Sequence, residues 1–165
     1  VWWDMDTKVK RNIVCKDPAR QTAWTLKVNN PIDAEQFLII DLIIHSLQNT
    51  PNNYLVIDIN PEPLPCGPLT YIQAIRSGES LWKVELHFEM SCVFRYAYKG
   101  TVRVRKHPWT QFGAQFHRVE DVSAVFEQIL CHNSVPDLSK WRNYTKRIYL
   151  QQRKKRGKNN PRSSR

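Results

Sequence analysis

The stretch WKVELHFEMSCVFRYAYKGTVRVRK, residues 82–106, decides the fold. Trp82, Val84, Leu86, Phe88, Met90, Cys92, Phe94, Tyr96 and Tyr98 share one parity, and Lys83, Glu85, His87, Glu89, Ser91, Arg95 and Lys99 share the other. Period two marks a strand with one apolar and one wet face. Residues 82–98 exceed the usual strand length of about 3–10 residues, so the pattern predicts two strands divided by a bend at Met90-Ser91. Lys99-Gly100 then reads as a short turn, followed by a strand from Thr101 to Lys106 with Val102 and Val104 inward and Arg103 and Arg105 outward. The product is an antiparallel meander whose exposed face gathers Arg95, Lys99, Arg103, Arg105 and Lys106 into one positive patch.

Working outward toward the N-terminus, the proline-rich segment 60–68 carries four prolines, which remove backbone donors and fix φ, so it reads as an extended loop. Tyr71 to Arg76 reads as one helical turn, and Tyr54 to Ile59 as a strand. Asn30-Pro31 looks like a cap followed by Pro at the first helical position, predicting a helix over 31–48. Its apolar residues wrap most of the circumference and leave a polar line through Asp41, His45 and Gln48, so the helix wants cover on two sides, or uses part of its surface for self-association. Ala23 to Val28 alternates as a further strand. Toward the C-terminus, Trp109 to Phe116 reads as an aromatic loop and Val119 to Cys131 as an amphipathic helix. Asp137 caps a third helix in which Leu138, Trp141, Thr145 and Ile148 recur at helical spacing.

These elements predict an α+β single domain, an antiparallel sheet packed with two or three helices and ending in a basic C-terminal tail. The expected boundaries are a core over 1–136, a basic amphipathic helix over 137–150 and a disordered basic tail over 151–165. A chain of 165 residues with 41% hydrophobic and 24% charged residues suits one ordered domain. No apolar run approaches the roughly 20 residues that cross a bilayer. The chain opens on Val1 rather than Met, which leaves an upstream segment open.

Charge is distributed unevenly. The segment 140–165 holds eleven bases, Lys140, Arg142, Lys146, Arg147, Arg153, Lys154, Lys155, Arg156, Lys158, Arg162 and Arg165, and no acid, whereas the preceding 139 residues hold fourteen bases against fifteen acids. A block of this kind repels itself and favours an anionic partner: nucleic acid, nucleoprotein or an anionic membrane surface. Trp141, Tyr144 and Tyr149 are the aromatics placed to stack on bases or anchor at an interface. The plain alternative for the block is a solubilising tail, and its composition equally resembles a nuclear-import signal. An intracellular, nuclear or virion-associated location fits such partners.

Positive signs of catalysis are lacking. Cys15, Cys66, Cys92 and Cys131 form no C-x-x-C pair, so no metal or other cofactor is expected and free thiols are preferred. Two disulfides and glycosylation at Asn143-Tyr144-Thr145 would belong to a secreted protein instead. Asp58, Glu85 and Glu89 are the carboxylates a metal-dependent nuclease could use, but no partner lysine follows Glu85 at the common spacing. His87 and Glu89 form an H-x-E, yet the later P-C-x-x-C of a zinc deaminase does not follow.

The order strand, proline-started helix, strand, proline loop, aromatic strand and helix, with Tyr98-Lys99-Gly100-Thr101 introducing the alternating Val102-Arg103-Val104, resembles the small matrix proteins of rhabdoviruses over about residues 23–131. This chain departs from the better-known members in carrying its basic block at the C-terminus and in lacking a Pro-Pro-x-Tyr motif. The resemblance implies a non-enzymatic protein that self-associates, condenses a nucleoprotein and touches a lipid leaflet. A second expectation is an RNA-binding component of a larger ribonucleoprotein, and a third is the nuclease.

Overall fold

Strong alternation in residues 82–98 is realised as two strands with a break at residues 89–91. The computed structural model describes residues 9–17, 22–30, 32–46, 54–59 and 68–159; the side chains of 9–30 and 158–159 are outside that description. In chain order the elements are β1 (Val9–Asp17), β2 (Thr22–Asn30), α1 (Ala34–Ser46), β3 (Tyr54–Asp58), β4 (Leu69–Gly78), β5 (Leu81–Phe88), β6 (Cys92–Tyr98), β7 (Thr101–His107), β8 (Thr110–Phe116), α2 (Val119–Leu130), β9 (Arg142–Asn143) and α3 (Thr145–Asn159). A 3₁₀ turn spans Leu138–Lys140. The main sheet is antiparallel in the order β2-β1-β3-β4-β5-β8-β9, and β6 and β7 form a separate two-stranded ribbon. The α+β class with an antiparallel sheet is therefore as expected.

On one face of the sheet, α1 and α2 cover Leu55, Ile57, Ile72, Val84 and Leu86 with Ile40, Ile44, Phe126 and Ile129, all fully buried. Burying each such side chain contributes about 1.5–3 kcal/mol, and this layer is where most of the cohesion lies. The start of α1 is a reciprocal capping box: Gln36 N–H donates to Asp33 Oδ1 at 2.9 Å, and Asp33 N–H to Gln36 Oε1 at 3.3 Å. The cap is thus Asp33 and not Asn30, which ends β2. Ser123 of α2 donates to Asp41, and His45 lies 3.6 Å from the same carboxylate. The polar line of α1 therefore joins the two helices. The stripe beside that line, Leu38, Ile39 and Leu42, lies away from the buried Ile40 and Ile44 and is exposed.

Several local expectations give way. Tyr71 to Arg76 is strand, not helix: it pairs with β5, and a register shift between Leu69 and Tyr71 breaks the alternation that would have marked it. Trp109 to Phe116 is mostly β8, held by pairing with β5 from Phe88 opposite Thr110 to Trp82 opposite Phe116. Asp137 does cap, accepting from Ser139 N–H at 3.0 Å, but it starts a 3₁₀ turn rather than a long helix. Leu138 and Trp141 pack on the core from this irregular segment, and α3 begins only at Thr145. That helix continues to Asn159, through the first part of the segment expected to be disordered. The proline segment 60–67 and residues 160–165 lie outside the described residues.

Candidate nucleic-acid interface

The ribbon β6–β7 is built by its turn. Lys99 at φ 49° and Gly100 at φ 76° give both central residues positive φ, the pattern of a two-residue turn that suits twisted antiparallel strands. Such a turn places Tyr98 opposite Thr101, Tyr96 opposite Arg103, Phe94 opposite Arg105 and Cys92 opposite His107. Directly opposed residues share a face. Arg103 and Arg105 therefore lie on the aromatic face, while Val102 and Val104 lie on the other with Val93, Arg95, Ala97 and Lys106. The expected inward and outward sets on β7 are exchanged, because even positions of β6 pair with odd positions of β7. Val93, Val102 and Val104 are 64%, 69% and 62% exposed, and the anticipated single patch is divided between two faces.

Helix α3 lies along the aromatic face. The Tyr149 ring stands 5.6 Å from Phe94, 6.1 Å from Tyr96 and 5.7 Å from His107. The guanidinium of Arg105 sits 5.1 Å from the Tyr149 centroid, and those of Arg103 and Arg153 sit 4.7 Å and 4.4 Å from Tyr98. Arg153 also donates to Tyr96 Oη at 3.3 Å, and Lys99 Nζ lies 5.5 Å from the Tyr98 ring. Stacking occupies the flat face of a guanidinium and leaves its N–H edge open to a carboxylate or phosphate. Among the described residues no carboxylate pairs with that edge, and the sequence has no acid between Glu89 and Glu120 or after Asp137. The three ion pairs among the described residues, His45–Asp41, Lys83–Glu85 and Arg118–Glu120, involve none of these bases.

Around the helix, Lys140, Arg142, Lys146, Arg147, Lys154, Lys155 and Arg156 are all exposed. A cleft of about 520 Å³ runs between Arg142, Lys146, Arg147 and Lys154, and one of about 440 Å³ lies between Tyr96, Tyr98, Leu150 and Lys154. The Lys158 side chain and Arg162 lie outside the described residues. Of the three expected stacking aromatics, Tyr149 meets Arg105 in the groove, and Tyr144 has Arg142 at 5.8 Å from its ring outside it. Trp141 is half-buried, 6.0 Å from Phe116, and packs on the core. Tyr144 is buried against Gly113 of β8, with Lys83 Nζ 4.3 Å from its ring.

That last contact sets where α3 begins. A Cβ at position 113 would lie 2.5 Å from Tyr144 Cε2, so only glycine lets the ring lie on the strand. Tyr144 N–H donates to Gln111 O at 2.8 Å, Gln111 N–H to Thr145 Oγ1 at 3.0 Å, and Thr145 N–H to Asn143 Oδ1 at 3.0 Å. The Asn143-Tyr144-Thr145 triplet is thus engaged in capping the helix. Gly113→Ala is expected to cost about 1–3 kcal/mol by overpacking, with the penalty removed in a Tyr144→Ala background; thermal unfolding of the four proteins of that cycle measures it.

A polar cluster anchors the strand beneath the groove. Gln111 Nε2 donates to Glu85 Oε2 at 2.6 Å, while its Oε1 accepts from Tyr71 Oη at 3.0 Å and lies 2.9 Å from His87 Nδ1. Because the amide oxygen can only accept, His87 carries its proton on Nδ1. Glu85 Oε1 is 2.9 Å from Lys83 Nζ, so both carboxylate oxygens already have partners. Burial, reinforced by the Glu85 charge, raises the Tyr71 pKa and keeps its hydroxyl a donor. Among the described residues no three His, Cys, Asp or Glu side chains group to hold a metal ion, and Cys92 and Cys131 are free thiols. No described helix is long and apolar enough to cross a membrane.

His107, which the sequence reading passed over, is 6% exposed and lies in the ring cluster 4.3 Å from Trp109. Burial lowers its pKa, the Arg105 guanidinium and His87 act in the same direction, and the Trp109 main chain offsets part of this. The unfolded chain, with an ordinary histidine value near 6.5, takes up a proton first as pH falls. Stability linked to His107 is then complete above about pH 6.5 and declines below it, toward and through the folded value. Urea unfolding from about pH 8 to 5 is expected to show a smaller loss for His107→Phe than for the wild type. The signal that could have located this cluster is the turn itself, since two residues between paired strands fix every cross-strand partner. Comparison of the chain with protein-family models, with curated proteins and with solved structures found no match.

Proposed function

We propose that this is a basic, non-catalytic α+β protein that binds single-stranded nucleic acid, free or within a nucleoprotein, in the groove between the β6–β7 ribbon and α3. The observation that supports the reading is the set of Arg103, Arg105 and Arg153 guanidiniums, lying over the Tyr98 and Tyr149 rings with no acidic partner among the described residues. Preplaced guanidiniums bind phosphate without reading sequence, and neighbouring rings accept unstacked bases. Duplexes, whose bases are already stacked, use the charge but not the rings.

A salt titration tests this. Binding to a uridine-rich RNA of about twelve nucleotides should weaken linearly on a log–log plot as salt rises, and should exceed binding to duplex DNA or to vesicles containing phosphatidylserine. Tighter binding to the vesicles, or affinity for RNA that ignores salt, would overturn it. A matrix-like second reading, in which the protein also self-associates on a nucleoprotein, is favoured by the exposed Leu38, Ile39 and Leu42 stripe and by the exposed valines of the ribbon. Salt-sensitive oligomers in sedimentation would support it, and a monomer at all salt concentrations would remove it.

A further inference from the structure

At one end of the groove, a cavity of about 330 Å³ lies between β7, Pro108-Trp109 and α3, within the range typical of small-ligand clefts. Its lining combines three kinds of group. Arg105, Arg153 and Arg156 supply positive charge, Trp109 and Tyr149 supply ring surface, and His107 supplies a polar edge. The His107 ring meets the two rings that line the cavity edge-on, at 75° to Trp109 and 71° to Tyr149. Its Nδ1 is closed to solvent and, among the described residues, has no hydrogen-bond partner of normal geometry. A buried polar nitrogen left unpaired costs about 1–3 kcal/mol, a cost that a ligand with a complementary edge removes once the imidazole turns that nitrogen toward the cavity.

We propose that this cavity holds one unstacked base of a single-stranded nucleic acid, hydrogen-bonded to the His107 imidazole and packed against Trp109 and Tyr149, with the adjoining phosphates on Arg105, Arg153 and Arg156. The inference rests on the nucleic-acid reading of the groove and adds the point at which a base, rather than a phosphate, is recognised. Aliphatic or acidic ligands suit it less: rings and a polar nitrogen ask for a flat heteroaromatic edge, and the arginines ask for an anion attached to it. A neutral imidazole can donate from one nitrogen and accept at the other, so it suits the mixed donor and acceptor edge of a base.

The test compares the wild type with His107→Phe and His107→Gln on two RNAs of about twelve nucleotides, one intact and one carrying abasic positions throughout its centre. His107→Phe is expected to weaken binding of the intact strand about three- to tenfold, with an unchanged salt slope because no phosphate contact is lost. His107→Gln should retain most of the affinity, and the abasic strand should bind wild type and His107→Phe equally. Equal loss on both strands, or no loss on either, would overturn the base pocket while leaving a salt-dependent interface intact. Absence of salt-dependent RNA binding by the wild type would overturn the interface as well. Should His107→Phe fail to fold, photo-crosslinking of the wild type to 4-thiouridine RNA decides: adducts on Trp109 or Tyr149 support the pocket, and adducts confined elsewhere reject it. Stronger competition by phosphotyrosine than by uridine monophosphate would assign the cavity to a phosphopeptide and reject the base.

Discussion

Replacing Arg103, Arg105, Arg153 and Arg156 together by glutamine is expected to lower affinity for single-stranded RNA by about two to three orders of magnitude at about 0.1 M salt. Each phosphate contact on a single strand contributes roughly 0.7 to the slope of log affinity against log salt. Four lost contacts therefore reduce that slope by about 2.8 and the affinity by a few hundredfold. Glutamine keeps length and polarity, so the ribbon and helix retain most of their side-chain packing. Arg103 and Arg156 are exposed, Arg105 lies along the groove, and Arg153 is half-buried; each exposed cation–ring contact stabilises by only about 0.5–1 kcal/mol, so the variant remains folded. The matched control is Arg95→Gln with Lys106→Gln on the opposite face of the ribbon. If the control loses as much slope per charge removed as the quadruple variant, the groove has no special role.

Phe126→Ala should be the most damaging of single substitutions in the apolar layer. Phe126 is fully buried on α2, which faces β5 and β8. Truncation removes the burial term and leaves a void that the rigid sheet fills poorly, at about 3–5 kcal/mol. Set against a total stability of roughly 5–15 kcal/mol, that is enough to populate the unfolded chain at modest temperature. Val102→Ser, on a residue 69% exposed, is expected to stay within about 0.5 kcal/mol. Urea midpoints for the two variants measure the contrast, and similar midpoints would mean that the helices do not carry the cohesion assigned to them.

Much of the main sheet was readable because Trp82, Val84, Leu86 and Phe88 alternate without interruption, and every one of them is buried. The break at Met90-Ser91 followed from length alone. What alternation could not supply was continuity across irregularities. A register shift after Leu69 disguised β4, and Gln111, Gly113 and Gln115 gave β8 a composition that only pairing with β5 turns into strand. The helical spacing of Leu138, Trp141 and Thr145 was real as a record of burial, yet a 3₁₀ turn and the short β9 produce it.

The candidate site was legible as charge and largely illegible as geometry. The cationic character of α3 and the ribbon is read directly from residue counts. Which arginines meet which rings depends on Tyr98 facing Thr101, since that single pairing moves Arg103 and Arg105 onto the side of Tyr149. His107 escaped notice because an isolated histidine before a proline has no periodic signature; its importance arises only when Trp109, Phe94 and Tyr149 converge on it.

The ribbon leaves the sheet after β5 and returns at β8, and those two strands are themselves hydrogen-bonded neighbours, with Phe88 opposite Thr110. Thr110 donates to the Met90 carbonyl where the excursion begins and ends. A short connector could therefore replace the excursion without reordering any strand of the larger sheet. Variation in its tip and outer surface is decoupled from the folding requirements of the body, so this lobe can change its surface chemistry while the scaffold beneath it stays under separate constraint.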